Sequence, residues 1–414
     1  MTRHSARDCL ACGSTKISRV LDLGNQEPAN LYGEKGQHEV LSLILVACEK
    51  CGHGQQLEHY NPSSLFKEYL YASGTSQTLK NYFESLADVF ARIFSNESRV
   101  LEIASNDGSF LDALRDRGFF PVRVDPSSVM SERARRKGHQ VIEDFWPTAA
   151  IPDKKFDLVV AQNVLAHVPR PLEFLKSIGE VLAFDGIAFI QTSQSAMVEN
   201  GEFDTIYHEH YSFFNERSMG EIVSRAGLTL QEFSYVSIHG GSMISLIRHS
   251  GSSPLKCREV ERALTSDDFP FKTLPPKIKR PNFEDWEQFA LIARNSIEAT
   301  TNAIRALADG GQLVVAVGAA AKAVTFLRAS EIIPNRIVDE SGDKIGKEIP
   351  GVIESVENLD SVSFDPDGTI YFITAWNFYD ELKVKISNRR NGKTHVFVRA
   401  FPEVYIEYNV DSGG

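Results

Sequence analysis

The stretch Asp204-Thr205-Ile206-Tyr207-His208-Glu209-His210 concentrates carboxylate, phenol and imidazole groups in one short run of chain. A neutral imidazole has a pKa suited to taking a proton near pH 7. His210 is therefore a candidate general base, with Tyr207 and His167 as the alternatives. Glu209 could orient that imidazole or contact a hydroxyl, and Tyr207 and Tyr71 could hydrogen-bond a substrate or a developing oxyanion. His167, just past a strand that ends near Asn163, could approach a keto oxygen. In an extended segment His208 alternates away from Glu209, which suits a structural role. Glu-x-His or His-x-His spacing also occurs in metal sites, but further ligands are not evident nearby. A satisfied polar cluster at a domain interface is the bland reading of the same residues.

Such a set suits attack by carbon. A proton next to a carbonyl becomes acidic when the enolate is stabilised, so the site needs a base, a donor to the enolate oxygen and an electrophile in line.

Four of the five cysteines form two CxxC pairs, Cys9/Cys12 and Cys48/Cys51, followed by Gly13 and Gly52. Each CxxC turn puts two thiolates on one side of a tight loop, and two such turns close a tetrahedron around Zn²⁺. Four thiolates leave no open position, so the expected role is structural. A redox CxxC would not explain the second pair. Cys257 stands alone and reads as a core or linker residue.

Val100-Leu101-Glu102-Ile103-Ala104-Ser105-Asn106-Asp107-Gly108 reads as a strand entering a tight turn and then a helix. Ligands of doubly wound sheets bind at the carboxyl ends of the strands. Glu102, Ala104 and Asn106 therefore face a candidate ligand, and Asp125, ending the next strand, could accept both hydroxyls of a ribose. Asp144 and Phe145 could hold an adenine, and Asn163 closes the series at the end of the strand that begins near Phe156. The first turn lacks GxGxxG, which disfavours a dehydrogenase. The ordered series fits S-adenosylmethionine. Ala104 stands where that pattern usually carries glycine, so its methyl group is expected to crowd the methionine part of the donor.

Strands and helices must alternate to position these groups. Strands are predicted at Arg99 to Ala104, Pro121 to Asp125, Phe156 to Gln162 and Gly186 to Gln191, with helices at Phe110 to Arg117, through Arg136, and at Leu172 to Leu182. A mainly parallel sheet covered on both faces follows. Leu79, Phe83, Leu86, Phe90 and Ile93 predict a helix before it. Pro254, Pro270, Pro275, Pro276 and Pro281 make 251–284 read as a linker, followed by a helix from Phe283 to Ala308. A second α/β unit then begins: a strand to Val317, Gly318-Ala319-Ala320-Ala321-Lys322 opening a helix, and strands at Arg336 to Asp339, Thr369 to Thr374 and His395 to Arg399. Small residues at a helix start bind anions through free amides, so Lys322 is expected at a diphosphate. Trp376 could stack on a base, Asn377 could hydrogen-bond, and His239, before Gly240-Gly241, could approach a ligand. The segments are a zinc-binding module at 1–65, a donor-binding domain at 66–250, the linker at 251–284 and a Rossmann-like substrate-nucleotide domain at 285–414. If both halves bind nucleotides, the sugar is expected in the cleft between them.

These residues resemble the zinc-containing sugar C-methyltransferases of deoxysugar biosynthesis, over nearly the whole chain. The resemblance is carried by the paired CxxC, by Tyr69-Leu70-Tyr71, by Glu102-Ile103 through Asn106-Asp107-Gly108, and by Asn163 to His167. It continues through Tyr207-His208-Glu209-His210, its most specific motif, then His239-Gly240-Gly241, Gly318 to Lys322, Ala375-Trp376-Asn377 and Pro402-Glu403-Val404. It implies an α/β fold with a zinc-binding N-terminal module, a class I methyltransferase domain and a second Rossmann-like C-terminal domain. It further implies S-adenosylmethionine and structural zinc as cofactors, a nucleotide-linked 4-keto deoxysugar (dTDP-linked or similar) as substrate, methylation at C3 before C5, and the imidazole matching His210 as base. An O- or N-methyltransferase and a non-catalytic zinc-bearing sugar-nucleotide binder are the alternatives.

The bulk numbers agree with this. The chain has 414 residues, enough for two or three domains, and 42% of them are hydrophobic. A formal net charge of -11 with no long basic run argues against nucleic acid. No apolar stretch suits a membrane span or signal peptide, so a cytoplasmic protein, monomeric by default, is expected.

Overall fold

The computed structural model describes residues 4–5, 7–33, 39–67, 72–151, 155–193, 195–353, 355–390 and 392–409. Tyr71 lies outside the described residues. The chain forms two compact units. The first comprises Met1–Ser18, Val46–Ala196 and Glu209–Phe283; the second comprises Arg19–Leu45, Met197–His208 and Glu284–Gly414. These units cut across the segments expected from the sequence. Both CxxC pairs belong to the first unit, and 19–45 and 197–208 belong with the C-terminal sheet.

The first unit is built on a six-stranded sheet. Its spatial order is Leu228–Val236, Ser242–His249, Leu182–Ser193, Phe156–Gln162, Val100–Ile103 and Val122–Val124. The last four strands run parallel, and Ser242–His249 is antiparallel to both its neighbours. A single parallel bridge, Val124 to Ile142, extends the sheet past its edge.

Both faces are covered, as parallel strands require. Leu158 and Val160 face the helix Gln77–Ile93 through Leu86 and Phe90, while Val159 and Ala161 face the cluster of Phe174, Ile178, Met219 and Ile222. Ser76 caps the helix Gln77–Ile93 by accepting from the Leu79 amide.

The 251–284 stretch corrects the linker expectation. It carries a helix, Leu255–Thr265, whose Cys257, Val260 and Leu264 enter the same core as Phe90 and Phe110. Phe269 and Phe271 follow and pack edge-on against Tyr82. The prolines obscured an apolar stripe at helical spacing.

The second unit is a doubly wound sheet in the order Val356–Asn358, Arg336–Asp339, Val314–Val317, Thr369–Ile373, His395–Arg399 and Tyr405–Asn409. All neighbours are parallel except the last pair. Val315, Val317, Tyr371 and Ile373 face the helix Tyr379–Arg389 through Leu382 and Ile386. The strand bounds for Arg336–Asp339 and His395–Arg399 match those read from hydrophobic pattern. No helix among the described residues is long and apolar enough to cross a membrane.

Candidate functional site

The four paired cysteines come together as two mirrored turns. In each, the glycine after the second cysteine donates its amide to the carbonyl of the first at 2.8 Å, Gly13 to Cys9 and Gly52 to Cys48. Both glycines have positive φ, 74° and 67°. At Gly52 a Cβ would stand 1.8 Å from the Pro281 carbonyl oxygen, so only glycine fits. The sulfurs of Cys9 and Cys51 are 3.6 Å apart, as are those of Cys12 and Cys48, and all four lie within 4.8 Å of one another. A tetrahedron with Zn–S of ~2.3 Å has sulfur–sulfur edges of ~3.8 Å, so the cluster fits Zn²⁺. Burial pushes Cys48 up to about 11, the hydrogen bond with Cys9 and then burial push Cys51 higher, and the same bond brings Cys9 down to about 4. A divalent cation would resolve this conflict by favouring all four thiolates. The knuckle is fastened to the helix Glu216–Arg225: Arg225 donates to the Ala11 carbonyl and Asn215 Nδ2 to the Gly52 carbonyl. A metal held there would staple the knuckle to the first unit.

The candidate donor site lies at the carboxyl ends of the parallel strands. Three non-glycine residues there adopt left-handed backbone: Ala104 at φ 60°, Asn106 at φ 50° and Asn163 at φ 52°. Strain of this kind gathers where a backbone must meet a ligand. Ala104 thus takes the conformation that favours glycine. Asp125 is 5% exposed and accepts from the Asn106 and Ser127 amides, each at 2.8 Å. Burial, partly opposed by those two bonds, raises its carboxyl to about 6. Glu102 is pushed well above the usual carboxylate range by burial and then by Asp125. Asn106 and Asp107 turn their side chains to the preceding loop, where Asn106 Oδ1 accepts from the Ser73 amide and Asp107 Oδ2 from the Gly74 amide. Asp144 Oδ1 accepts from the Phe145 amide and the Thr148 hydroxyl, fixing the turn that carries both expected adenine contacts.

Several buried polar atoms at this edge make no hydrogen bond among the described residues: Glu102 Oε2, Ser105 Oγ, Gln162 Oε1, Asn163 Oδ1, Gln191 Nε2 and Thr192 Oγ1. Orphaned donors and acceptors inside a core need an explanation. A ligand with ribose hydroxyls, an ammonium and a carboxylate supplies one, so the residues fit S-adenosylmethionine. Gln162 and Gln191 were not singled out in the sequence. They pair directly across parallel strands, and Tyr82 donates its hydroxyl to Gln191 Oε1 at 2.7 Å, leaving the amide nitrogen as the orphaned group. The sequence signal is a glutamine closing each apolar run, at Gln162 and Gln191.

The imidazoles of His210 and His167 meet at this same unit. Their ring centres are 4.7 Å apart. His167 sits on the turn Leu165–His167 that follows Asn163, and the Tyr211 amide donates to the Ala166 carbonyl at 2.8 Å, tying the His210 segment to that turn. Gln56 Nε2 donates to the His210 carbonyl, and the Tyr211 hydroxyl to the Tyr60 carbonyl. His167 Nδ1 donates to the Glu209 carbonyl at 2.7 Å, so Nε2 carries the lone pair. Burial brings His167 down to about 4. His239, at φ 57°, occupies the turn Ile238–Gly240 before the strand Ser242–His249 of the same unit.

The motif is divided between units: Glu209 and His210 belong to the first, Tyr207 and His208 to the second. Within the second unit His208 is buried, and that burial brings it down to about 3. The Gly318–Lys322 corner does not look like a diphosphate seat. The Ala319 amide is already taken by Asp339 Oδ2 at 2.7 Å, and Asp339 also accepts from the Ser341 amide. Lys322 Nζ stands 4.6 Å over the Trp376 ring, whose Nε1 donates to Asp204 Oδ2 at 2.8 Å. Asn377 follows on the turn Trp376–Phe378.

Comparison with known proteins accords with this geometry. Residues 9–66 match a family model described as "Putative zinc binding domain", residues 78–232 one described as "Methyltransferase domain", and residues 237–402 one described as "C-methyltransferase C-terminal domain". The chain is 25% identical over 394 residues to the C-methyltransferase NovU of Streptomyces niveus, covering 91% of each protein. It is 28% identical over 105 residues to a ubiquinone biosynthesis O-methyltransferase of Actinobacillus pleuropneumoniae, covering 23% of this chain and 45% of that one. Among solved structures, the CcbJ methyltransferase from Streptomyces caelestis aligns with a TM-score of 0.34 at 14% identity, over 41% of this chain and 90% of that one.

Proposed function

The chain belongs to the zinc-containing, S-adenosylmethionine-dependent C-methyltransferases, and from that premise we propose that it methylates carbon alpha to the ketone of a nucleotide-linked 4-keto deoxysugar, C3 before C5. The observation that carries this reading is the His210 imidazole, held 4.7 Å from His167 in the unit that holds the donor pocket. Bound S-adenosylmethionine supplies the electrophilic methyl group.

His210 takes the proton from the substrate carbon, and the C–H electrons become the enolate. Burial disfavours the protonated form of His167 and holds it near 4. Its Nδ1 is committed to the Glu209 carbonyl, so it serves to fix the segment that carries His210. Asp125 would hold the donor ribose, with Asp144 and Phe145 beside the adenine.

The test is deuterium wash-in. With enzyme and a 4-keto nucleotide sugar in D₂O, deuterium should enter alpha to the ketone. His210→Ala should lose that exchange and methyl transfer by ~10²–10⁴-fold while still binding S-adenosylhomocysteine. Methylation without any exchange would favour an O- or N-methyltransferase.

A further inference from the structure

The second unit buries opposite charges that no hydrogen bond joins. Glu202 and Asp204 are each 1% exposed. Asp204 and Lys322 both sit at Trp376, one accepting from its Nε1 at 2.8 Å, the other 4.6 Å above its ring. The Lys322 ammonium also acts on Glu202, opposing the rise that burial causes in both carboxyls. Asn200 Nδ2 secures Glu202 Oε1 at 2.8 Å. One atom on each charged group is left over: Glu202 Oε2, Asp204 Oδ1 and Lys322 Nζ are buried and make no hydrogen bond among the described residues.

A buried charge without a partner is costly. Three such atoms in one place call for a bridging guest. That guest must accept from an ammonium and donate to a carboxylate. A hydroxyl does both, whereas a diphosphate only accepts and would face two carboxylates. The nearby Ala319 amide, already bonded to Asp339, offers an anion nothing further.

We infer that Glu202, Asp204 and Lys322, beside Trp376, form a subsite that recognises ring hydroxyls of a sugar and not a diphosphate. The inference rests on the reading of the substrate as sugar-linked and deepens it, moving Lys322 from the phosphate to the sugar. The ammonium donates to one hydroxyl oxygen, and the carboxylates accept from hydroxyl hydrogens.

The full-length protein is titrated with the 6-deoxyhexose fucose by saturation-transfer NMR and with inorganic pyrophosphate by ³¹P line broadening. Saturable fucose binding should weaken at least tenfold in Lys322→Met and in Glu202→Gln, with pyrophosphate unchanged. Both variants are first shown to be folded by circular dichroism, and either one alone suffices if the other misfolds. Pyrophosphate binding that Lys322→Met removes, or the absence of fucose binding sensitive to these substitutions, overturns the subsite. Free fucose needs no methyl transfer. Lys322-dependent fucose binding in a protein that methylates no 4-keto nucleotide sugar would therefore sink the proposed reaction and leave the subsite standing.

Discussion

Affinity for the methyl donor should fall about tenfold between pH 7 and pH 5, because Asp125 titrates in between at about 6. At pH 7 roughly nine in ten Asp125 carboxyls are ionised, and at pH 5 roughly one in ten. If the ribose hydroxyls and the sulfonium require the ionised form, the apparent Kd rises about tenfold across that interval, or ~1.4 kcal/mol. The sign for the ligand-free protein is opposite. A carboxyl raised from 3.8 to about 6 contributes stability that is fully present below 3.8 and is lost as pH rises through about 6, roughly 3 kcal/mol in all. Donor binding therefore favours the same ionisation that the empty fold resists. The assay is calorimetric titration with S-adenosylmethionine and S-adenosylhomocysteine from pH 5 to 8. In Asp125→Asn the profile should flatten and neutral-pH affinity should drop, because the Asn106 and Ser127 amides both need an acceptor there. A wild-type Kd that stays constant from pH 5 to 7 refutes the assignment of Asp125 to the ribose.

Metal analysis should return about one zinc per chain, and Cys48→Ser should lose the metal together with the cooperative thermal transition, since the knuckle is bonded to Arg225 and Asn215; a metal-free protein with an unchanged transition contradicts this. Ala104→Gly should stabilise the fold by ~1 kcal/mol by relieving left-handed backbone at φ 60°, read as a raised Tm, and a lowered Tm would show that the methyl group is needed for packing. His167, lowered from 6.5 to about 4, contributes stability that is present above pH 6.5 and lost as pH falls toward 4, roughly 3 kcal/mol, so His167→Gln should show a shallower acid denaturation profile than wild type.

Local pattern carried much of this molecule. Two CxxC turns, each followed by a glycine at positive φ, define a thiolate pair within a few residues, and their geometry depends little on the rest of the chain. The strand Phe156–Gln162 and the helix Phe283–Ala308 have the bounds their hydrophobic runs predict, because a long apolar run has one way to be buried. The order Glu102, Asp125, Asn163 could be read because doubly wound sheets place strand ends along one edge.

Tertiary structure decided what sequence spacing cannot encode. The helix Leu255–Thr265 was hidden among prolines, and only its packing beside Phe90 and Phe110 reveals it as core. Gln191 is bonded by Tyr82, 109 positions away, and Lys322 and Asp204, far apart in sequence, both meet Trp376. Composition and periodicity determine which segments are buried and in what local form, because those depend on neighbours in the chain. Which charge faces which, and so what a buried lysine can hold, depends on contacts between distant segments and is set only when the sheets close.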